Sequence, residues 1–334
     1  MAIKIDQVKK GNLTVVMYHY VREIVNSQFP NIKGLELQAF IEQIKYFNKH
    51  YNFVTIEQVI DSINNNSPLP PKSILLTFDD GYKDHYSNVL PVLIEHKIKG
   101  CFYVPAIPII EKKILDVNKI HFILAQVGEN INSLVSDLRE ALFINKNEYN
   151  LQDFEFYYKK LAMANRFDAP EVIFVKRLLQ VELTETLRAK ITDALFNKYI
   201  HIEEEEFAEN LYLSKKEISE MLNEGMHIGC HGYNHYWWNK LKENELENEI
   251  DKSIEFLRDL GVNTENWTAA YPYGSYSLGV ERMLKEKKCK LAFTTEVGIA
   301  TCSGMQRLLM ERLDTNDLPR KINSGVNLWY DRAK

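Results

Sequence analysis

Three short segments carry side chains able to hold a divalent cation and split a polar bond: Thr77-Phe78-Asp79-Asp80-Gly81, His231-Gly232-Tyr233-Asn234-His235 and Tyr271-Pro272-Tyr273-Gly274. One carboxylate and two imidazoles make a common ligand set for a catalytic metal. A second carboxylate beside the first is placed to act as a base. The Tyr-Pro-Tyr-Gly turn, with a fixed φ at Pro272 and a free one at Gly274, can aim the Tyr273 amide at a developing oxyanion.

Taken singly, each segment has a plainer reading. Asp-Asp-Gly is also a common turn. Adjacent carboxylates after an apolar strand raise each other's pKa, a cost that a cation relieves. The four-residue spacing of His231 and His235 puts two imidazoles on one side of a helical turn, yet such pairs are often structural. The aromatic run Tyr236-Trp237-Trp238 offers a wall for a ring to stack on and also reads as core packing. Cys230 adjoins His231, but strand alternation points the two side chains opposite ways.

The elements around these segments alternate in type. Leu13–Tyr18 reads as a strand, Leu37–His50 as a helix with Phe40, Ile41, Ile44 and Phe47 on one face, Phe53–Ile56 as a strand, and Ile56–Ile63 as a helix. Ser73–Phe78 reads as a buried strand, Asn88–His96 as a helix and Cys101–Val104 as a strand. Residues 111–213 differ: Lys, Glu, Asn and Leu abound, and Ile120–Val127, Ser133–Leu142 and Glu171–Ala194 look helical. The acidic run Glu203–Glu206 reads as a solvated helix face. Alternation then resumes with helix Lys215–Asn223, strand His227–Cys230, helix Glu245–Leu260, strand Trp267–Tyr271, helix Leu278–Lys288 and strand Leu291–Thr295. Strands separated by helices imply a parallel sheet, and all three segments fall where a strand ends, the usual place for an α/β site. The expected organisation is a barrel from residues 1–110 and 214–334 with a helical insertion or lid at 111–213.

Bulk composition excludes several classes. The chain has 334 residues, 45% hydrophobic and 26% charged, with net charge −5. That is ordinary globular composition without the basic field that nucleic acid or anionic lipid requires. No segment approaches the ~20 apolar residues of a membrane span, and the first apolar run, Leu13 to Tyr18, is too short for a secretory signal. A cytoplasmic protein is expected. The scattered Cys101, Cys230, Cys289 and Cys302 read as reduced, packing thiols. Oligomeric state is not legible.

In this order, the three segments resemble the motifs of the polysaccharide deacetylase family, the NodB-homology carbohydrate esterases. Thr77–Gly81 is similar to the first motif, His231–His235 to the second, and Tyr271–Gly274 to a Tyr-Pro variant of the third. The resemblance covers about residues 10–105 and 215–315. It implies a distorted (β/α)7 barrel of α/β class. It also implies that Asp80, His231 and His235 hold one divalent ion, zinc foremost, with cobalt, nickel or iron(II) as alternatives. Asp79 is then the general base that activates water for attack on an acetamide, with the Tyr273 amide on the oxyanion. The commoner third motif has an Arg that orients the base where this chain has Tyr271, so Arg312, or else Arg307, is the expected substitute. No His follows His235, where the family usually supplies its general acid. Met17-Tyr18-His19 resembles the Tyr-His element of a subgroup with that motif moved to the amino-terminal side, which makes His19 the candidate acid. Tyr82, Tyr236, Trp237 and Tyr271 are the candidate substrate contacts. His85 is a possible support to the site, and His227 a packing residue.

The implied activity is N-deacetylation of an N-acetylated sugar, as a nucleotide-linked or lipid-linked precursor or a short glycan in surface polysaccharide synthesis. Competing readings are hydrolysis of a small non-sugar amide on the same fold, and an inactive sugar-binding relative. Two His plus a carboxylate is also the facial triad of non-haem iron oxygenases, but the strand-helix alternation contradicts their usual fold and Asp79 has no part in that chemistry.

Overall fold

Short, largely apolar runs set most of the strands. The computed structural model describes residues 11–164 and 168–333. Among these, β1 (Leu13–Tyr18), β2 (Ser73–Phe78), β3 (Cys101–Val104), β4 (His227–Cys230), β5 (Ala269–Ala270), β6 (Ala292–Val297) and β7 (Met310–Asp314) are parallel neighbours in chain order. β7 pairs with β1 and β1 with β2, closing a seven-stranded parallel barrel surrounded by helices, the expected (β/α)7 form. The short strand Asn52–Phe53 adds a further pairing to β2.

The period-two alternation of a strand divides the apolar residues into two buried sets. Val16, Tyr18, Leu76, Phe78, Phe102 and Ile228 pack with the covering helices. Leu13, Val15, Leu75, Tyr103, Phe293 and Met310 pack with one another across the barrel. Continued along β2, the second face runs Leu75, Thr77, Asp79; along β7 it runs Met310, Arg312. The ladder between β6 and β7 slips between Met310 and Arg312, an irregularity of the kind that re-aims a side chain. The fold thus brings a carboxylate and a guanidinium to the same barrel mouth.

Outer helices form where the sequence patterns require. Leu37–His50 buries Phe40, Ile44 and Phe47. Ser214 and Glu217 make a capping box at the start of Lys215–Asn223, satisfying amides that the first turn leaves orphaned. Glu243–Asp259 buries Leu246, Ile250, Phe256 and Leu257 and, in the same stripe, Glu249. Burying each large apolar side chain stabilises the fold by about 1.5–3 kcal/mol.

Two expected helices differ. Asn88–His96 becomes a π turn at His85–Val89 followed by Leu90–Glu95. Glu171–Ala194 is not continuous: Pro170–Arg177 passes through a π turn at Leu178–Glu182 and stops, and Glu185–Ile200 begins after an extended Thr184. The buried Arg188 donates to the Gln180 carbonyl, supplying a partner where the helical ladder breaks.

The chain divides into two compact units. The barrel unit takes the residues through Arg22, Gly34–Lys112 and those from Glu209 on. The helical unit takes Glu23–Lys33 and Lys113–Ala208, so Glu23–Lys33, expected within the barrel, packs elsewhere. The cause is local: Phe29 packs edge-on against Phe122 and Phe207, and Asn31 donates to the Ala125 carbonyl. Among the described residues no helix is long and apolar enough to cross a membrane.

Candidate active site

Every site side chain described here belongs to the barrel unit. β2 ends at Phe78, and Asp79 and Asp80 follow, with Asp80 at φ 72° and Gly81 at φ 64°. Two successive left-handed residues turn the chain sharply, which points Asp79 and Asp80 to different partners. His231 follows β4, and Gly232 (φ 80°) and His235 (φ 59°) then double the chain back. No helix forms here, contrary to the spacing argument; the imidazoles meet through a left-handed loop, their ring centroids 4.7 Å apart. A Cβ at Gly232 would lie 3.1 Å from Glu249 Oε1, so this loop requires glycine both for its φ and for its space. A non-glycine residue held left-handed costs about 1–3 kcal/mol, a strain typical of sites that other contacts over-determine.

Glu249 is one such contact. It is buried, and its carboxylate accepts from the Asn234 amide at 2.6 Å and from Asn234 Nδ2 at 2.7 Å, tethering the loop next to His235. Sequence reading passed over it. The available signal was a glutamate in the apolar stripe of an amphipathic helix, between Leu246 and Ile250.

Asp80 Oδ1 lies 3.3 Å from His231 Nε2 and 3.4 Å from His235 Nε2, and the two nitrogens are 3.2 Å apart. His231 Nδ1 bonds to the Ala270 carbonyl at 2.8 Å; a carbonyl only accepts, so the proton sits on Nδ1 and Nε2 is left as a bare donor atom. His235 Nδ1 is buried with no partner. Edges of 3.2–3.4 Å are those of a tetrahedron whose centre is about 2.0 Å from each corner, the Zn–N and Zn–O distance. The residues therefore fit a four-coordinate divalent cation with one position left open. Among the described residues this is the one such donor group.

The charges agree with the geometry. Burial pushes the Asp80 carboxyl up, but the imidazoles of His231 and His235 against it outweigh burial and hold it well below the usual range. Burial likewise opposes ionisation of Asp79, and the Arg312 guanidinium, with His231, brings it below its ordinary value. Two ionised carboxylates thus share a buried mouth with one guanidinium, a balance that favours a further cation.

Arg312 holds Asp79 in a fork, Nη1 to Oδ1 at 2.9 Å and Nη2 to Oδ2 at 2.7 Å. Its Nε donates to the Thr294 carbonyl and Nη1 also to Thr77 Oγ1. Arg307 instead donates to the carbonyls of Cys289 and Lys290. The structure therefore brings Arg312 to Asp79 and leaves Arg307 outside the site. His19 follows β1, half-buried, near enough that its charge lowers both carboxyls. Its carbonyl is bonded by His85 Nε2 at 3.0 Å, so His85 supports the segment that carries His19. His227 bonds Thr268 Oγ1 at 2.7 Å, away from the ligand triangle.

The aromatic residues divide. Tyr273, at φ 58°, lies edge-on to His235 with centroids 4.6 Å apart, and Trp237 stacks on it at 4.5 Å and 4°. Trp237, Tyr273 and Tyr236 are half-buried beside the ligands. Two expected substrate contacts are corrected. Tyr271 is fully buried, donates to the Leu308 carbonyl at 2.7 Å and packs on Trp238, so it is a core residue. Tyr82 is also fully buried, and its hydroxyl donates to Asp80 Oδ2 at 2.5 Å. Cys230 packs in the core, outside the donor triangle, and burial pushes its thiol up to about 12.

The polysaccharide deacetylase family profile matches residues 66–140 and 168–292. The match runs into the helical segment that the motif resemblance left out. A poly-β-1,6-N-acetyl-D-glucosamine N-deacetylase of Escherichia coli (strain K12) is 32% identical over 85 residues, 25% of this chain. The aligned stretch is only 12% of that relative's length. Among solved structures, the deacetylase PplD of Streptococcus pyogenes, in complex with acetate, superposes with TM-score 0.55 at 18% identity, covering 92% of this chain and 93% of that one. IcaB from Ammonifex degensii gives TM-score 0.52 at 18% identity, covering 92% and 94%. The BpsB deacetylase domain from Bordetella bronchiseptica gives 0.52 at 15%, covering 90% and 95%. These structural likenesses concern the fold. With the family profile matched over more than half of its length, the chain belongs to the polysaccharide deacetylase family.

Proposed function

We propose that this polysaccharide deacetylase removes the acetyl group from an N-acetylated amino sugar, with Asp80, His231 and His235 holding zinc. The observation that carries the proposal is the triangle of donor atoms, with 3.2–3.4 Å edges, beside an Asp79 forked by Arg312. When bound, the cation supplies Lewis acidity that polarises a carbonyl and acidifies water.

The chain's own residues do the rest. Asp79 is fixed by Arg312 and placed to accept a proton from water. It takes the proton as water oxygen bonds to the acetamide carbon. The Tyr273 amide, at the left-handed corner of its turn, is assigned to the developing oxyanion. His19 gives a proton to the sugar nitrogen as the C–N bond breaks, and acetate and a free amine leave. The stacked Trp237–Tyr273 pair and the poly-β-1,6-N-acetyl-D-glucosamine deacetylase relative support a hexosamine ring as the group bound.

The test is elemental analysis of natively purified protein together with acetate release. The panel comprises β-1,6-linked and β-1,4-linked N-acetylglucosamine oligomers, UDP-N-acetyl sugars and lipid-linked N-acetyl sugars. Stoichiometric zinc and chelator-sensitive acetate release are expected, and the panel separates short glycan from a cytoplasmic nucleotide- or lipid-linked precursor. His235→Ala is expected to lose both metal and turnover. Metal without acetate from any sugar would move the reading to a non-sugar amide. Absence of both would leave an inactive sugar-binding relative.

A further inference from the structure

The two oxygens of Asp80 face different partners. Oδ1 looks at the imidazole nitrogens, whereas Oδ2 accepts the Tyr82 hydroxyl at 2.5 Å. Tyr82 exposes no surface, so its hydroxyl has no role in touching substrate. Its ring is clamped, with Tyr20 stacked on it at 4.1 Å and 21° and Tyr212 near-parallel at 6.1 Å. The turn carrying Tyr82 is pinned as well: Leu213 donates to the Gly81 carbonyl at 2.9 Å, and Tyr82 bridges Tyr212 through the backbone. The hydroxyls of Tyr20 and Tyr82 are also hydrogen-bonded. Tyr82 has one proton, and the carboxylate is its stronger acceptor, so Tyr20 is the donor of that second bond.

We propose that Tyr82, backed by Tyr20, is a positioning residue that makes Asp80 a one-oxygen ligand and so keeps a coordination position open. The inference rests on the metal reading above and deepens it. A carboxylate with both oxygens free can swing to chelate a divalent ion, raising its coordination number. With Oδ2 held, only Oδ1 is presented, and three protein ligands plus one open place is the arrangement of a catalytic rather than a structural zinc site. The hydrogen bond also draws charge from the ligand and fixes its orientation, the usual work of partners one step behind a metal.

The test uses the full chain with Tyr82→Phe and Tyr20→Phe, both of which keep the stacked rings. Zinc affinity is measured by competition with a chromogenic chelator. Ligand geometry is read from visible absorption after Co2+ loading, which is intense for four-coordinate Co2+ and weak for five- or six-coordinate Co2+. The melting temperature of the metal-free protein reports the fold. Tyr82→Phe is expected to lose about 10–100-fold in zinc affinity and to lower the Co2+ absorption. Tyr20→Phe is expected to move both readouts the same way by less. A merely structural role would lower the metal-free melting temperature and leave the Co2+ spectrum unchanged, and that result overturns the proposal. If Tyr82→Phe fails to fold, Tyr20→Phe decides: wild-type affinity and spectrum in that variant overturn it. A wild-type protein that binds neither ion overturns the metal reading itself, whereas a wild type that binds both alongside an unchanged Tyr82→Phe overturns only the lock.

Discussion

The barrel mouth and the helical unit use the same charged residue types under opposite conditions. At the mouth, Asp79, Asp80 and Arg312 are all but excluded from solvent, and each oxygen of Asp79 has a guanidinium partner. In the helical unit, Arg139–Glu155, Lys146–Asp153, Lys160–Glu182 and Lys198–Asp137 each have an exposed cationic side chain. Lys119, paired with Asp193 and Glu204, and Arg188, paired with Asp116 and Glu185, are buried exceptions in that unit. Taking charge out of water costs several kcal/mol per ion, so a buried pair persists only with full pairing, whereas exposed pairs are nearly neutral. Hollows of about 570 and 390 Å³ lie in the helical unit, whereas the ligand triangle is in the barrel. The candidate site thus coincides with the most deeply buried and fully partnered charge of the barrel mouth.

The sharpest way to break that contrast is to remove one mouth charge. Asp79→Asn keeps Asp80 and both imidazoles, so bound zinc is expected to stay stoichiometric while kcat falls about 10²–10⁴-fold, the usual worth of a general base. Steady-state acetate release beside elemental analysis checks it; near-full activity would remove Asp79 from the role. Arg312→Met attacks the same pair from the other side. It leaves the Asp79 carboxylate buried and unpartnered, and a stability loss of about 3–5 kcal/mol is expected. Urea denaturation of the metal-free protein measures it, and a loss within about 1 kcal/mol, the worth of an exposed pair, would mean the mouth admits water.

Glu249→Gln is expected to cost less, because one of the two bonds to Asn234 survives. The amide group can still accept from the Asn234 backbone, but its NH2 then faces Asn234 Nδ2. A charged hydrogen bond lost in a buried place is worth about 1–3 kcal/mol. Since Asn234 adjoins His235, zinc affinity should fall together with the melting temperature. A lower melting temperature at unchanged affinity would confine Glu249 to packing.

What the sequence revealed followed from period and adjacency. β1, β2, β3 and β4 have the bounds that their apolar runs predict, and Asp79-Asp80 and His231-His235 were visible as charged groups at strand ends. Less visible was anything set by chain reversal or by distance. The His pair was expected on a helical turn, but two left-handed residues, Gly232 and His235, make it a loop. Tyr82 and Tyr271 looked like substrate contacts because aromatic residues near a motif do; only burial assigns one to Asp80 and the other to the Leu308 carbonyl. Arg312 is preferred to Arg307 from sequence without a deciding signal; its bond to Asp79, across 233 residues of chain, needs the fold. Glu249 sits on a helix whose pattern explains itself without it.

The smallest expected effect is in the helical unit, and it guards the comparison against circularity. Lys160 pairs with both oxygens of Glu182 at 2.6 and 2.9 Å, a geometry as good as that of Arg312 on Asp79. If geometry alone set the strength of an ion pair, Lys160→Ala would rival Arg312→Met. But the Lys160 side chain is 50% exposed, so water already solvates the ammonium, little desolvation is reversed on its removal, and fixing two long side chains carries an entropic cost. A change within about 1 kcal/mol is therefore expected, shrinking further as salt is raised towards 1 M, where the screening length falls to about 3 Å. Urea denaturation at low and high salt measures both. A loss of several kcal/mol that salt does not diminish would show that an exposed pair carries as much stability as a buried one, and the distinction drawn from exposure would fall.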